Sequence, residues 1–409
     1  MKPLAMLSPL CLCLFAASAW ADLEPFTLGA SETLAHDSNV GRTDSAKVAD
    51  WYSTTELRGG VDQALGRDQL VGSAAVNYTG YRSDADRKLN YFGYQGALRL
   101  DWNAIGDLSG SLGADSRRRR YTAGFDEFNG TVGTSQEEIN IETDNHAYAK
   151  FLLGGPSRWS IFLNEDVSWR RFSSRTFDVN NEQQWSNTFG TNYATSPDLS
   201  FGITGNYTRG SYPDYGFPAD FDSKSLSATT RWQASGNSSL SAALGYTTQA
   251  SDLQPTVRFV SGNLYWNWTP PSHFGVNLGV SRSTDGGAAA GNVSTLNDPS
   301  VNTTASLGVT YALTAKVNLV ANEQYVVRKY ASATVVNNGG FSFGDSNIIS
   351  GSDRSQRVSL GARYQASRTV NLGCSFAHEV RRGSAVLAQI LASNYVDNLA
   401  QCTASIDLN

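Results

Sequence analysis

Apolar and polar residues alternate strictly in segment after segment of this 409-residue chain. The clearest case is 274–281, where Phe274, Val276, Leu278 and Val280 alternate with glycine, asparagine and serine. The same pattern returns at 199–204, 240–246, 263–268, 307–313 and 358–364. A period of two is that of a β-strand, whose successive side chains point to opposite faces. No segment after residue 22 shows sustained helical spacing, so the sequence predicts an all-β protein.

The connections between these segments alternate in length. Short turns fall near residues 66, 106, 155, 197, 237, 271, 315 and 368, and longer polar connections at 36–50, 82–89, 121–137, 173–182, 211–223, 250–256, 282–300, 331–354 and 382–394. Eight short turns and nine long loops predict eighteen strands. Short turns at one end and long loops at the other are typical of bacterial outer-membrane barrels. A soluble sandwich or propeller has no need of this asymmetry. We therefore predict a single transmembrane antiparallel β-barrel of about 18 strands, with both termini periplasmic.

The first residues predict export. Lys2 supplies a positive charge, residues 4–17 are apolar, and Ala19-Trp20-Ala21 has the pattern of a cleavage site. The apolar stretch is shorter than the roughly 20 residues of a spanning helix. We predict a signal peptide at 1–21, a barrel over 22–409, and Sec-type export through the periplasm to the outer membrane of a Gram-negative cell.

Composition excludes two classes. The mean hydropathy of −0.32 argues against a helical membrane protein, and an isoelectric point near 5.5 argues against a nucleic-acid binder.

Tryptophans near strand ends favour an aromatic girdle at the membrane–water interface, because the ring is apolar while its N–H stays hydrated. These are Trp51, Trp102, Trp159, Trp169, Trp185, Trp232, Trp266 and Trp268.

If the apolar positions face lipid, the alternate positions line an aqueous lumen. The basic candidates are Arg58, Arg99, Arg117, Arg119, Lys150, Arg170, Arg231, Arg328, Arg357, Arg363 and Arg381. The acidic candidates are Glu56, Asp101, Asp115, Glu142, Asp144, Asp166 and Glu379. This set predicts a lumen of mixed sign with a cationic excess. Glu165 and Glu323 fall on the lipid face, which indicates a bulge or an error of register in their strands.

Cations and aromatics recur together at two strand ends. The run Arg117–Arg120 precedes Tyr121, and Arg170-Arg171 precedes Phe172. A guanidinium binds carboxylate and sulfate well, so these arginines could contact a polymer that passes through the barrel. Binding of lipopolysaccharide, or a hydrated position at the rim of the barrel, explains them equally well. The inward aromatics fit either stacking on sugar rings or packing against one another. They are Tyr52, Tyr148, Phe162 and Tyr265.

Cys374 and Cys402 lie symmetrically about a loop centred near residue 388, on the apolar face. Opposite positions on neighbouring strands are close enough for a disulfide, and two small apolar side chains facing lipid are the alternative. The four histidines show no metal-ligand spacing, and the chain carries no catalytic or phosphate-binding motif. We predict no enzyme activity, no catalytic residue, no metal and no cofactor.

One phrase at the end of the first strand carries a family resemblance. Asp37-Ser38-Asn39, followed by Arg42, resembles the corresponding phrase of EpsL-type exopolysaccharide-biosynthesis outer-membrane proteins. Looser similarity extends through 323–328, 379–383 and 395–398. The resemblance implies a barrel that acts with polysaccharide synthesis and export machinery, some of it associated with the exosortase/PEP-CTERM system.

Together these features predict a barrel through which a secreted polysaccharide leaves the cell. The expected partners are the polysaccharide, outer-membrane lipid or lipopolysaccharide, periplasmic export components and the barrel assembly machinery, with no nucleic acid. A general or substrate-selective porin for small solutes is the alternative. A third possibility is a barrel that anchors a surface matrix or serves as an adhesin.

Overall fold

A computed structural model describes residues 25–45, 47–84, 86–104, 106–121, 139–155, 158–215, 220–252, 254–285, 300–330, 351–383 and 394–408. The predicted signal peptide, 1–21, lies outside this part of the chain. Two short 3₁₀ helices occur at Arg87–Leu89 and Arg175–Asn180. Within the described ranges, no helix has the length and apolar character needed to cross a membrane.

Eighteen strands account for nearly all of the regular structure. They are β1 (Phe26–Asp37), β2 (Asp50–Leu65), β3 (Asp68–Tyr81), β4 (Tyr91–Asn103), β5 (Leu108–Arg120), β6 (Ile141–Leu153), β7 (Trp159–Phe172), β8 (Glu182–Ser196), β9 (Leu199–Ser211), β10 (Asp220–Ser235), β11 (Ser238–Ser251), β12 (Gln254–Trp268), β13 (Phe274–Asp285), β14 (Ser300–Ala312), β15 (Val317–Tyr330), β16 (Gly351–Gln365), β17 (Val370–Gly383) and β18 (Tyr395–Leu408).

Each strand pairs antiparallel with its neighbours in sequence, and β1 also pairs with β18, so the sheet closes on itself. Closure gives every described strand a partner on both sides, although β12 and β13 pair only from Gly262 to Trp268. The all-β, eighteen-stranded antiparallel barrel predicted from the alternation is confirmed. The first residue of β1, Phe26, and the last residue of β18, Leu408, lie at the short-turn end, where Leu28 pairs with Leu408. Gly66, Gly106 and Gly154 occupy three of the short turns with positive φ angles, which glycine adopts without a Cβ clash.

The barrel is apolar outside and polar inside. Leu244 is 67% exposed and Leu226 62%, whereas the largest fully buried side chains include Arg328, Glu142 and Asp397. This distribution is the reverse of that in a water-soluble domain. It is the distribution required when the outer surface contacts lipid and the interior is hydrated. The inward face of each strand is therefore the polar one.

The eight tryptophans predicted to form girdles all lie on the outward face, at two levels. Trp51, Trp169 and Trp185 lie toward the long loops, and Trp102, Trp159, Trp232, Trp266 and Trp268 lie toward the short turns. On β7, Trp159 and Trp169 are separated by roughly 33 Å along the strand. At a tilt of about 40° this corresponds to roughly 25 Å along the barrel axis, the height of an outer-membrane apolar band.

Two details of the prediction are wrong. The long connection expected at 250–256 is a short turn, because β11 continues to Ser251 and β12 begins at Gln254. A register shift between Gln249 and Ser251 accommodates this extension. Glu165 and Glu323 do lie on the lipid face, but their strands pair without a bulge. Each carboxylate instead accepts a hydrogen bond from an amide of the next strand, Asn187 or Gln356.

Candidate channel lining

The register places all the basic and acidic candidates on the inward face. In one continuous row, Gln95 pairs with Arg117, Arg117 with Asp144, Asp144 with Arg170 and Arg170 with Glu182. Directly paired residues lie on the same face of the sheet, so each row of paired residues identifies the inward face of several neighbouring strands. The predicted pore-lining set is thereby placed inside the barrel: Arg58, Arg99, Arg117, Arg119, Arg170, Arg231, Arg357, Arg363, Asp115 and Asp166.

The expected cationic excess is wrong. The register adds inward carboxylates that the sequence alternation did not identify: Asp37, Asp50, Asp62, Glu182, Asp353, Asp397 and Asp407. Most of them lie at or near strand ends, where the alternation of apolar residues is too short to fix the face. With these residues included, inward acids outnumber inward bases, and most inward arginines have a carboxylate partner.

A dense ion-pair network covers β5 to β8 near the long loops. Arg119 binds the fully buried Glu142 at 2.9 Å, and Arg170 contacts Glu142 and Asp144 at 3.1 Å each. Below them on the same wall, His146 lies between Asp115 and Asp166, with its ring nitrogens 2.9 and 3.0 Å from the two carboxylates. These groups bind one another across four strands, and the carboxylates of the network outnumber its arginines.

A second network is buried between β15 and β17. Asp353 accepts hydrogen bonds from Arg328 at 3.3 Å and from Arg381 Nε at 3.1 Å, and all three side chains are at most 4% exposed. A buried guanidinium requires such a partner, because an unpaired charge in a low-dielectric region is costly. The network fixes the relative positions of these strands at the long-loop end.

The phrase that carried the family resemblance forms an inward-folded turn. Asp37 Oδ1 accepts the amide of Asn39 at 2.8 Å, and the Asn39 side chain bonds the backbone of Thr43 and of Val396. Ser38 Oγ donates to Asp397 at 3.0 Å. Asn39 is fully buried. The β1–β2 loop is thereby held against the wall made by the last strands, so these residues act in loop placement.

Arg42 is the inward tip of this loop. It has a φ of 49°, which is uncommon for a residue with a Cβ, and its guanidinium lies 3.7 Å from Glu379 and 3.8 Å from Asp397. Burial disfavours its charge, but the nearby anionic groups, Glu379 first, outweigh this effect and raise the pKa of Arg42 above its ordinary value. Tyr395 donates a hydrogen bond to Glu379 and completes the cluster.

Three inward arginines differ from the others. Within the described residues, Arg231, Arg357 and Arg363 have no ion pair, whereas Arg58 binds Asp407 and Arg99 binds Asp101. Arg231 lines a cavity of about 770 Å³ on the wall from β4 to β12. Arg357 and Arg363 line one of about 430 Å³ on β15 to β18, and no carboxylate lines that second cavity. Arg231 and Arg363 lie toward the short-turn end.

The inward aromatics lie flat against the wall. A Cβ added at Gly113, Gly190 or Gly279 would clash with or crowd the ring of Tyr148, Phe162 or Tyr265 of the neighbouring strand. Each ring therefore covers a glycine, and Tyr265 remains 47% exposed. Tyr52 instead packs against Tyr81, with 5.2 Å between ring centroids. The first three rings thus pack on the backbone and keep one face toward the lumen.

Comparison with solved structures adds information on the fold. The chain resembles the FrpB iron transporter of Neisseria meningitidis (F5-1 variant, apoprotein form) with a TM-score of 0.50 and 11% identity, over 90% of this chain and 63% of that one. It thus spans less than two thirds of FrpB. It also resembles OpdK with vanillate and OccK9 (OpdG), both from Pseudomonas aeruginosa, at 12% and 13% identity and TM-scores of 0.47, over 95% of this chain and all of theirs.

This is an outer-membrane-type β-barrel fold. At such identities the likeness concerns the fold alone. No protein-family model matches the chain, and no curated protein matches it. The resemblance to EpsL-type proteins therefore stays a prediction, which rests on the residues quoted for it.

The two cysteines of the barrel are joined. Cys374 on β17 and Cys402 on β18 are directly paired in the register, and their sulfurs form a disulfide on the outward face. Leu34 of β1 pairs with Cys402 and is 53% exposed, which places the bond on the lipid-facing wall. The disulfide lies one strand away from the seam where β1 meets β18.

Proposed function

We propose that the protein is a non-enzymatic outer-membrane channel through which an acidic secreted polysaccharide passes outward. The observation that supports this is the set of three inward arginines that form no ion pair within the described residues, Arg231, Arg357 and Arg363. Arg357 is directly opposite Glu379 in the register, but that carboxylate contacts Arg42 and Tyr395 instead. The other inward arginines are largely neutralised. The proposal includes Sec-type export, insertion by the assembly machinery with the long loops outside, and delivery of the polymer by periplasmic export components.

The spacing of these arginines suits transient contacts with a moving polymer. Arg357 and Arg363 lie six residues apart on the same face of β16, roughly 20 Å along the strand. Arg231 lies on β10, at a distance around the barrel. No two of them form a single tight site. Conduction requires binding that is weak and distributed enough for release, and separated guanidinium groups meet this condition for a chain with repeated carboxylates.

Neutral groups around Arg231 suit a carbohydrate. The larger cavity is lined by amides and hydroxyls of Asn164, Asn192, Asn263, Thr204 and Thr229, together with the rings of Phe162 and Tyr265. Amides and hydroxyls both donate and accept hydrogen bonds, as sugar hydroxyls do. Rings held flat on the wall offer an apolar face for the axial hydrogens of a pyranose.

A small-solute porin is the second candidate. The β1–β2 loop is held inward by Arg42, and this placement narrows the long-loop end on one side. A narrowed, charged mouth suits selection among small solutes. The same fold also suits an anchor or adhesin, for which the channel would be closed.

Single-channel recording separates these functions. The purified protein is inserted into a planar bilayer, and acidic oligosaccharides or neutral ones of equal length are added on one side. We expect the acidic chains to block the current in long events, and the triple variant Arg231→Gln, Arg357→Gln and Arg363→Gln to lose at least tenfold in blocking affinity. The outward-facing pair Arg118→Gln and Arg171→Gln is the matched control and keeps wild-type block.

Other results decide against the conduit. Equal block by neutral and acidic chains, or permeation of small anions without any block by polymer, favours the porin. A verified insertion without conductance favours the anchor. In cells, normal polymer export after deletion of the protein would refute the proposal.

A further inference from the structure

A set of exposed cations lies on the outside of the barrel, near the long-loop ends of the strands. We call it the outer basic belt. It consists of Arg118, Arg171, Arg209, Lys224, Arg258, Arg282, Lys329, Arg354 and Arg382. The register puts each of them on the face that carries the exposed leucines and tryptophans. For example, Arg118 shares a row with Tyr94, Val76 and the 55% exposed Leu57.

The belt has no counterpart at the other end of the barrel. In the short-turn halves of the described strands, the outward positions carry no lysine or arginine. Residues such as Phe201, Ile203, Leu372 and Trp232 occupy them instead. The outward lysines and arginines of the described strands therefore lie only at the long-loop margin, above a mainly apolar wall. An anionic layer next to one side of the membrane accounts for this asymmetry.

One row of the belt concentrates like charges. Arg354 of β16 and Arg382 of β17 are directly opposite in the register, and the same row continues through Val327 and Thr303 to Arg282. Lys329 of β15 lies diagonally next to Arg354, because it pairs with Ser352. Like charges directly opposite each other are unfavourable in a sheet. In the part of the chain that the structure describes, none of these four cations has an ion pair.

Elsewhere the belt is partly compensated. Arg209 contacts Asp220 at 3.3 Å, and Lys224 lies over the ring of Tyr207. The row of Arg282, Arg354 and Arg382, with Lys329, is thus the part of the belt in which cation–cation repulsion calls for an external anion. The anion has to reach a surface that borders the apolar band, so one attached to a lipid fits better than a soluble one.

We infer that the outer basic belt binds the phosphate groups of lipopolysaccharide, with Lys329, Arg354 and Arg382 as its main site. The acyl chains of such a lipid lie against the apolar band below, and guanidinium groups bind phosphate in bidentate fashion. The inference rests on the outer-membrane placement in the proposed function, and not on what the channel conducts.

Bound lipid on the purified full-length protein tests this. The protein is incubated in detergent with lipopolysaccharide, re-purified, and its bound lipopolysaccharide per barrel is measured by native mass spectrometry. We expect the variant Lys329→Gln, Arg354→Gln and Arg382→Gln to retain at least threefold less than the wild type. The control Arg357→Gln and Arg363→Gln alters the same strand on its inward face and keeps wild-type retention. Disulfide formation and heat-modifiable mobility on a gel verify folding of both variants.

Two further probes identify the chemistry. Dephosphorylated lipopolysaccharide should bind the wild type as weakly as native lipopolysaccharide binds the belt variant. Phosphatidylglycerol vesicles should bind no better to the wild type than to that variant. Equal retention by wild type and belt variant, undiminished binding of the dephosphorylated lipid, or equal binding of phosphatidylglycerol and lipopolysaccharide would each overturn the inference. The belt variant keeps its oligosaccharide block in the bilayer, so the two proposals fail independently.

Discussion

The guanidinium of Arg42, in the first loop, lies 3.8 Å from the carboxylate of Asp397, in the last strand. The contact crosses the seam where β1 and β18 close the barrel. It joins residues from opposite ends of the chain, and Ser38, which donates to the same carboxylate, reinforces it. The first loop and the closing strand are therefore stabilised together, and the loop cannot leave the wall without exposing buried charges.

Replacing Arg42 with alanine should release the loop. The buried carboxylates of Glu379 and Asp397 would lose a cationic partner, so we expect the free energy of unfolding to fall by about 2–4 kcal/mol. Proteolysis should cut the β1–β2 loop faster, and the open-channel current should become noisier. Arg67→Ala, in an exposed short turn, is the control and should change none of these. A protected loop in the Arg42 variant would contradict the assignment.

Asp353 should be more important for stability than other inward acids. Asp353→Asn leaves Arg328 and Arg381 buried with a weakened partner, and we expect a loss of about 3 kcal/mol in urea titrations followed by tryptophan fluorescence. Asp62→Asn changes an inward carboxylate that is exposed and should cost less than about 0.5 kcal/mol. Similar losses in the two variants would show that the buried network does not hold these strands together.

Replacing the lipid-facing Glu165 and its partner with leucine should stabilise the protein in lipid. Glu165 lies between Trp159 and Trp169 on β7, in the middle of the apolar band, with Asn187 as its partner. The double variant Glu165→Leu and Asn187→Leu removes both polar groups, so we expect stability in lipid to rise by about 1–2 kcal/mol. The inward Glu56→Leu serves as the control, since it removes a partner of Arg58 and gives no gain. A loss of stability in the double variant would indicate that this patch meets protein and not lipid.

The disulfide should form in the exported protein and contribute to stability. Cys374 and Cys402 are 28 residues apart in sequence, and for a loop of this size the loss of chain entropy in the unfolded state corresponds to about 3.6 kcal/mol. The double alanine variant should lower the denaturation midpoint by a matching amount. A maleimide added without reductant should label only the single variant Cys374→Ala. Labelling of the unreduced wild type would show that the two thiols are free.

Much of the barrel could be predicted from local pattern. The period of two fixed which residues are strands, and the lengths of the connections fixed their number and the end that carries the long loops. The long loop predicted at 250–256 was wrong for a local reason. Residues 254–257 look polar and contain a proline, but they form the first residues of β12. Glu165 and Glu323 on the lipid face suggested an error of register. Their hydrogen-bond partners lie on the next strand, and the alternation within one strand cannot reveal such a partner.

The sequence by itself determined the strands and the inward face along the middle of each strand, since the side-chain period of a strand is independent of its neighbours. Only the tertiary structure decided which charges remain free. Whether an arginine meets a carboxylate depends on the register between strands, which brings Asp407 to Arg58 and Asp397 to Arg42 from the far end of the chain. Neutralisation within the lumen, the closure at Arg42 and the row of cations outside all follow from this pairing, because charges act through space over a few ångströms and not along the sequence.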